Sequence, residues 1–303
     1  MNIRTVLGDV PAEKMGVTYT HEHLLCNPVT AAKDPTLAIT NAETSTLELL
    51  DFKRVGGCTF VEGTAIDYGR EPEKLAKMSK ETGVNIIATS GYYTYSHNPD
   101  SFASASVEDI AELFVKEITV GMDGTDIKAG QIKCAVSQLF IHPNEEKALL
   151  AAALAQKITG APIWIHHGGI MGMEILDILE NAGADLSKVV LGHMDRNPDP
   201  YDYKRIAKRG SIMSLDNFAR IYRYAIEENI KMLNDLLQMG CIDRLFLCCD
   251  FGRSTYMKAN GGGPGLAYLY EKLVPRIKEQ CSLSDEDIKK IFVDNPAKVY
   301  GQF

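Results

Sequence analysis

The sequence predicts an α/β fold, a (β/α)8 TIM barrel formed by one domain over residues 1–303. Three observations carry this expectation. Eight short β-rich apolar runs alternate with helical patterns along most of the chain. Parallel neighbours need a crossover, and a strand–helix repeat of roughly 32 residues matches one barrel unit. The first run ends in His-Glu-His, where an open doubly wound sheet would carry a Gly-rich phosphate loop.

The runs, in order, are VTYTHEH (17–23), CTFVEGT (58–64), NIIATSGY (85–92), QIKCAVS (131–137), PIWIHHGG (162–169), VVLGHMD (189–195), SIMSLDN (211–217) and LFLCCDFG (245–252). Helical patterns between them include TSTLELLDFKRVG, EPEKLAKMSKETG, SVEDIAELFVKEITVGM, NEEKALLAAALAQKITG, MEILDILENAG, YDYKRIAKRG and YAIEENIKMLNDLLQMG. Several close on Gly, the residue that most readily takes the left-handed turn after a helix. Ser106 before Glu108–Asp109 and Asn144 before Glu145–Glu146 are expected N-caps, with acids in the first turn. The Gly-rich ANGGGPGLAY (259–268) follows the last run and reads as a loop at the barrel mouth.

Composition narrows the partners. Hydrophobic residues make up 45% and charged residues 24%, as in ordinary globular proteins. A net charge of −8 without a Lys/Arg block argues against nucleic acid and anionic membranes, so the expected partner is a small-molecule substrate. The opening MNIRTVLGDVPAEKMG has no apolar signal core, and no run approaches the roughly 18 residues of a membrane span. Seven cysteines without a C-x-x-C pair suit a reducing cytoplasm better than a disulfide framework.

Ligand-type residues recur at the strand ends. In a strand, residues i and i+2 share a face roughly 6–7 Å apart, so His21 and His23 are placed to share one metal ion. His-x-His alone is a weak signal. Lys133 lies in the fourth run, His166 and His167 end the fifth, His193 ends the sixth and Asp250 ends the eighth. Barrel active sites are built at these C-terminal ends. Imidazole and carboxylate suit Zn, with Mn or Co as alternatives. A lysine desolvated inside a barrel loses its proton more easily, and the neutral amine can add CO2 to become a carbamate. A salt bridge from Lys133 to Asp250 or Glu62 is the plainer reading.

This set resembles the amidohydrolase superfamily, and in detail its phosphotriesterase-related branch, which includes sugar-lactone phosphate hydrolases. VLGDVPAEKMGVTYTHEHLL is similar to that family's opening. AGQIKCAVSQLFIHPNEEKALLAAALAQKITGAPIWIHHGG, DLSKVVLGHMDRNPD and DFGRSTYMKANGGGPGLAYL resemble its fourth- to fifth-, sixth- and eighth-strand segments. The resemblance implies that His21 and His23 bind the more buried of two metals and that Lys133 bridges both as a carbamate. It gives His166 and His193 to the second metal. It also implies that Asp250 binds the first metal and handles protons as the catalytic residue. His166 is preferred to His167 because the family's ligand lies four residues after a proline, here Pro162. Two metals 3.5–4 Å apart can hold a bridging hydroxide that attacks a carbonyl or phosphoryl centre. Relatives are often dimers, so a homodimer is compatible with the resemblance.

Loops set the substrate. Arg253, Tyr256 and Lys258 beyond Asp250, and Arg220 with Arg223 after the seventh run, offer groups that could grip an anion. Tyr92 and Tyr93 end the third run and are expected either to line the mouth or to serve core packing or loop contact. Asp195 and Arg196 read as an internal ion pair, with substrate contacts as the alternative. The expected activity is opening of an anionic or phosphorylated sugar lactone. Organophosphate triester hydrolysis and N-acyl amino-acid amide hydrolysis are the alternatives. A non-catalytic barrel would show a broken ligand set, and here every position is filled.

Overall fold

The computed structural model describes residues 1–137, 139–196, 198–218, 220 and 225–303. A hairpin of β1 (Asn2–Thr5) and β2 (Gly8–Pro11), absent from the sequence expectation, precedes the barrel. The eight expected barrel strands are all present: β3 (Val17–Glu22), β4 (Gly57–Glu62), β5 (Asn85–Ile87) with β6 (Thr89–Gly91), β7 (Gln131–Ala135), β8 (Ile163–His166), β9 (Val189–Leu191), β10 (Ile212–Leu215) and β11 (Leu245–Leu247). The third run is interrupted at Ala88 and so counts as two elements. Every barrel pair is parallel and in chain order, β3-β4-β5 and β6 through β11. The last strand closes on the first through Glu22, whose carboxylate accepts from Cys249 N (2.6 Å) and Phe251 N (2.8 Å).

Helices α1 (Ala42–Arg54), α2 (Pro72–Thr82), α3 (Asp100–Ser104), α4 (Val107–Thr119), α5 (Pro143–Thr159), α6 (Gly172–Asn181), α7 (Pro200–Arg209) and α8 (Ile226–Gln238) cover the outside. Three more follow: α9 (Val274–Gln280), α10 (Asp285–Lys289) and α11 (Asn295–Tyr300). Ser106 caps α4 with a reciprocal Asp109 bond, as expected. The cap of α5 is His142, not Asn144: Pro143 takes the first helical position, and the His142 ring accepts from Asn144 N at 3.1 Å.

Period-two alternation sorts each strand into two cores. Val61, Ile87, Trp164, Val190, Ile212 and Phe246 fill the barrel, and Ile3, Met15, Val299 and Tyr300 plug one end. Their strand neighbours, such as Phe60, Ile86, Ile132, Ile163, Leu191 and Met213, pack outward under the helices. The polar site lies over the inner layer.

Candidate metal centre

Alternation brings most of the site inward. Lys133 follows Gln131 on the inner face of β7, and His166 follows Trp164 on the inner face of β8. His167 therefore faces outward; it is buried and its Nδ1 accepts from Gly169 N at 2.7 Å. Two ligand candidates need a break in regularity. The β3–β4 register shifts between Tyr19 and Glu22, so Tyr19 packs outward on Phe52 while His21 turns inward onto Trp164. His193 would point outward by count from Val190, but its φ of 58° turns it into the site. Asp250 also has a left-handed φ, 49°. Non-glycine residues here cost about 1–3 kcal/mol each and persist only when their surroundings hold them. Asp216 holds the first by accepting from His193 N at 3.0 Å. Glu22 holds the second by gripping the backbone on both sides of Asp250.

The ligand-type groups converge on a cavity of about 120 Å³ lined by His21, His23, Lys133, His166 and Asp250, with Arg196, Arg220 and Arg253 among its walls. Donor atoms of His21, His193 and Asp250 all lie within 4.8 Å of one another. Asp250 Oδ1 is 3.5 Å from His21 Nε2 and 3.6 Å from His23 Nε2. His193 Nε2 and His166 Nδ1 are 2.7 Å apart. The Tyr93 hydroxyl is 3.1 Å from His166 Nε2. Behind these groups, His23 Nδ1 meets Thr64 Oγ1 at 2.7 Å, and that hydroxyl donates to Glu62. His193 Nδ1 meets Asp216 Oδ1 at 2.6 Å. Such partners fix which ring nitrogen is left as a ligand.

Burial pushes His21, His166 and His193 well below the usual histidine range, so their rings are neutral and offer lone pairs. Burial likewise brings Lys133 down to about 8, against the pull of Asp250 and Glu62. Its Nζ donates to Gly63 O at 2.8 Å. Burial alone would raise Asp250, but the Arg220 guanidinium, with Arg196 beyond it, outweighs burial and holds the carboxyl low. Arg220 donates to both the Asp250 backbone and its carboxylate. Neutral imidazoles and an ionised carboxylate make a donor set that fits divalent cations, and Lys133 beside them gives up its proton more readily than a free lysine.

The remaining site candidates separate. Arg220 and Arg253 reach the cavity, and Arg253 also binds Asp34 and Thr36. Tyr256 is buried against Phe251, with its ring 5.7 Å from the Arg220 guanidinium carbon. Tyr92 does not reach the cavity: it alternates outward with Ile86 and Ala88 and packs on Phe102, while Tyr93 lines the site. Lys258 also lies elsewhere, in a groove beside Leu47, Asp51 and Arg54 of α1. The Asp195–Arg196 ion pair is not what forms. Asp195 accepts from Asn217 N at 2.6 Å, and Arg196 turns into the cavity, 3.9 Å from Asp250. Arg223 falls outside the described residues. Sequence reasoning passed over Glu22, Trp164 and Asp216. Asp216 carried a usable signal, the inward parity of Ile212 and Ser214.

Residues 1–300 match the model of the phosphotriesterase family. A lactonase from Listeria monocytogenes superposes with a TM-score of 0.96 at 35% identity, each chain covered in full (100%). The phospho-furanose lactonase of Mycoplasmopsis synoviae is 32% identical over 98% of this chain and 90% of its own. An N-acetyltaurine hydrolase from Xenopus tropicalis is also 32% identical, over 97% of this chain and 96% of its own.

Proposed function

This chain belongs to the phosphotriesterase family, and we propose that it is a metal-dependent hydrolase that opens an anionic, phosphorylated sugar lactone. The carrying observation is the convergence of neutral imidazoles, Lys133 and Asp250 on one cavity walled by three guanidiniums. The names of the Listeria and Mycoplasmopsis relatives support the lactone.

In this reading His21, His23 and Asp250 would hold one divalent cation, and His166 and His193 would hold a second. Lys133, as a carbamate, would complete the ligand set. Zinc suits the nitrogen-rich set best. When bound, the pair supplies Lewis acidity and a water of lowered pKa. The chain supplies the rest. Asp250 takes the proton of the attacking water and returns it to the ring oxygen as it leaves, so lactone and water become a hydroxy acid. Arg220 keeps Asp250 ionised and fixes its direction. Arg253, with a side chain 26% exposed against 9% for Asp250, is the outer cation and faces the phosphate. Tyr93 orients His166.

A second reading, hydrolysis of an N-acyl amide bearing an anion, is favoured by the N-acetyltaurine hydrolase relatives and uses the same cations. Rates on a phosphorylated aldonolactone, its dephosphorylated form, an N-acyl sulfonate and a neutral phosphotriester, with and without chelator, separate the readings. Chelator-sensitive lactone opening that prefers the phosphorylated form supports the proposal. Metal-loaded protein that cleaves the amide or triester and spares every lactone refutes it.

A further inference from the structure

Two of the ligand histidines have a hydrogen-bonded group behind the ring, and His21 does not. Its Nδ1 is buried and, among the described residues, has no partner. Metal-binding histidines normally fix their orientation through that second nitrogen. The His21 ring is held differently. It lies flat on the Trp164 indole, with centroids 3.6 Å apart and an 11° angle between planes. Its edge abuts Gly63, where an added Cβ would sit 2.4 Å from His21 Cε1.

We propose that Trp164, the only tryptophan in the chain, is a positioning residue that sets the metal-binding orientation of His21 by stacking. The inference rests on the metal-centre reading above and deepens it. The indole is itself fixed. It is fully buried, and Gly192 makes room for it, since a Cβ there would lie 2.1 Å from Trp164 Cζ2. It also meets the edge of the His193 ring at 5.2 Å and 78°, and Lys133 Nζ lies 5.0 Å from its centroid. One side chain thus touches ligand candidates from β3, β7 and the end of β9.

Two further points favour positioning over simple filling. Trp164 Nε1 is buried and, among the described residues, has no partner. A position that needed only a packed ring would be better served by Phe, which buries no unpaired N–H. An imidazole that donates density to a cation also becomes electron-poor, and an electron-rich indole face attracts it more strongly. The stack therefore favours the metal-bound state over the free one.

The test uses the full-length protein stripped with chelator. Zinc affinity is measured by competition with a chromophoric chelator for wild type, Trp164→Phe, Trp164→Leu and Phe246→Leu. Phe246 shares the inner layer and contacts none of the ligand candidates by ring stacking, so it controls for loosened packing. The expected loss for Trp164→Leu is about 10–100-fold, the range for groups that orient a ligand. Trp164→Phe keeps a stacking ring and recovers most of it, and Phe246→Leu binds as wild type does while unfolding at lower temperature. In wild type, Co²⁺ quenches the single indole in step with metal uptake, a readout that needs no variant to fold. Equal losses in Trp164→Leu and Phe246→Leu overturn the inference, as does wild-type Co²⁺ uptake with unchanged emission. If wild type takes up no metal, the metal centre itself is overturned and this inference with it.

Discussion

Lys133→Met should stabilise the metal-free protein while destroying its capacity for metal. Lys133 is 3% exposed, and burial lowers it from 10.5 to about 8. At about 1.4 kcal/mol per tenfold change in proton affinity, that difference is about 3 kcal/mol of folding stability. The sign follows from proton counting. Between pH 8 and 10.5 the unfolded chain holds the lysine proton and the folded chain does not, so stability rises with pH across that window. Below pH 8 the full penalty of a buried ammonium is present. Methionine has similar length and no charge to bury. In the chelator-treated protein at pH 7, Lys133→Met should gain about 3 kcal/mol, or roughly 6 °C in melting temperature. The gain should vanish by about pH 10.5. Urea unfolding of both proteins at several pH values measures this. The difference between them cancels the buried cysteines and tyrosines, whose raised values work the other way. A pH-independent difference, or a less stable variant at pH 7, would refute the electrostatic description of Lys133.

Other perturbations address single contacts. Asp216→Asn places an amide against His193 N and Nδ1, which now share one carboxylate. It should lower metal affinity about 10–100-fold by chelator competition, with native circular dichroism retained. Arg253→Ala should raise KM for a phosphorylated lactone at least about tenfold, the scale of one lost charge-assisted contact, and barely change it for the dephosphorylated form. Lys258→Ala, remote from the cavity, should leave both unchanged. Tyr93→Phe removes the hydroxyl beside His166 and should reduce kcat/KM, whereas Tyr92→Phe, outside the cavity, should match wild type in steady-state assays.

Much of this site was legible because barrel strands obey strict alternation. From Trp164 inward, His166 must face the cavity and His167 must not. The same count places Tyr93 inside and Tyr92 outside, and it would have found Asp216 from Ile212 and Ser214. His21 and His193 were found by residue type, yet their inward direction depends on a register shift and a left-handed φ that no periodicity encodes. Glu22 was hidden for another reason. Its partners, Cys249 and Phe251, lie more than two hundred residues away, and only closure of the barrel brings them together. The Asp195–Arg196 pairing failed because neighbours in sequence diverge at the 3-10 turn Met194–Arg196, leaving Asp195 to Asn217 and Arg196 to the cavity. Lys258 failed similarly: nearness to Asp250 in the chain did not survive the short turn Ser254–Tyr256 between them, and Lys258 itself opens the next turn.

The most direct test is the metal content of the purified protein by mass spectrometry, with Lys133→Ala beside it. Two divalent ions per wild-type chain, falling sharply in the variant, is the expected result for a lysine-bridged pair. Little metal in wild type after reconstitution, or full occupancy in Lys133→Ala, would contradict it.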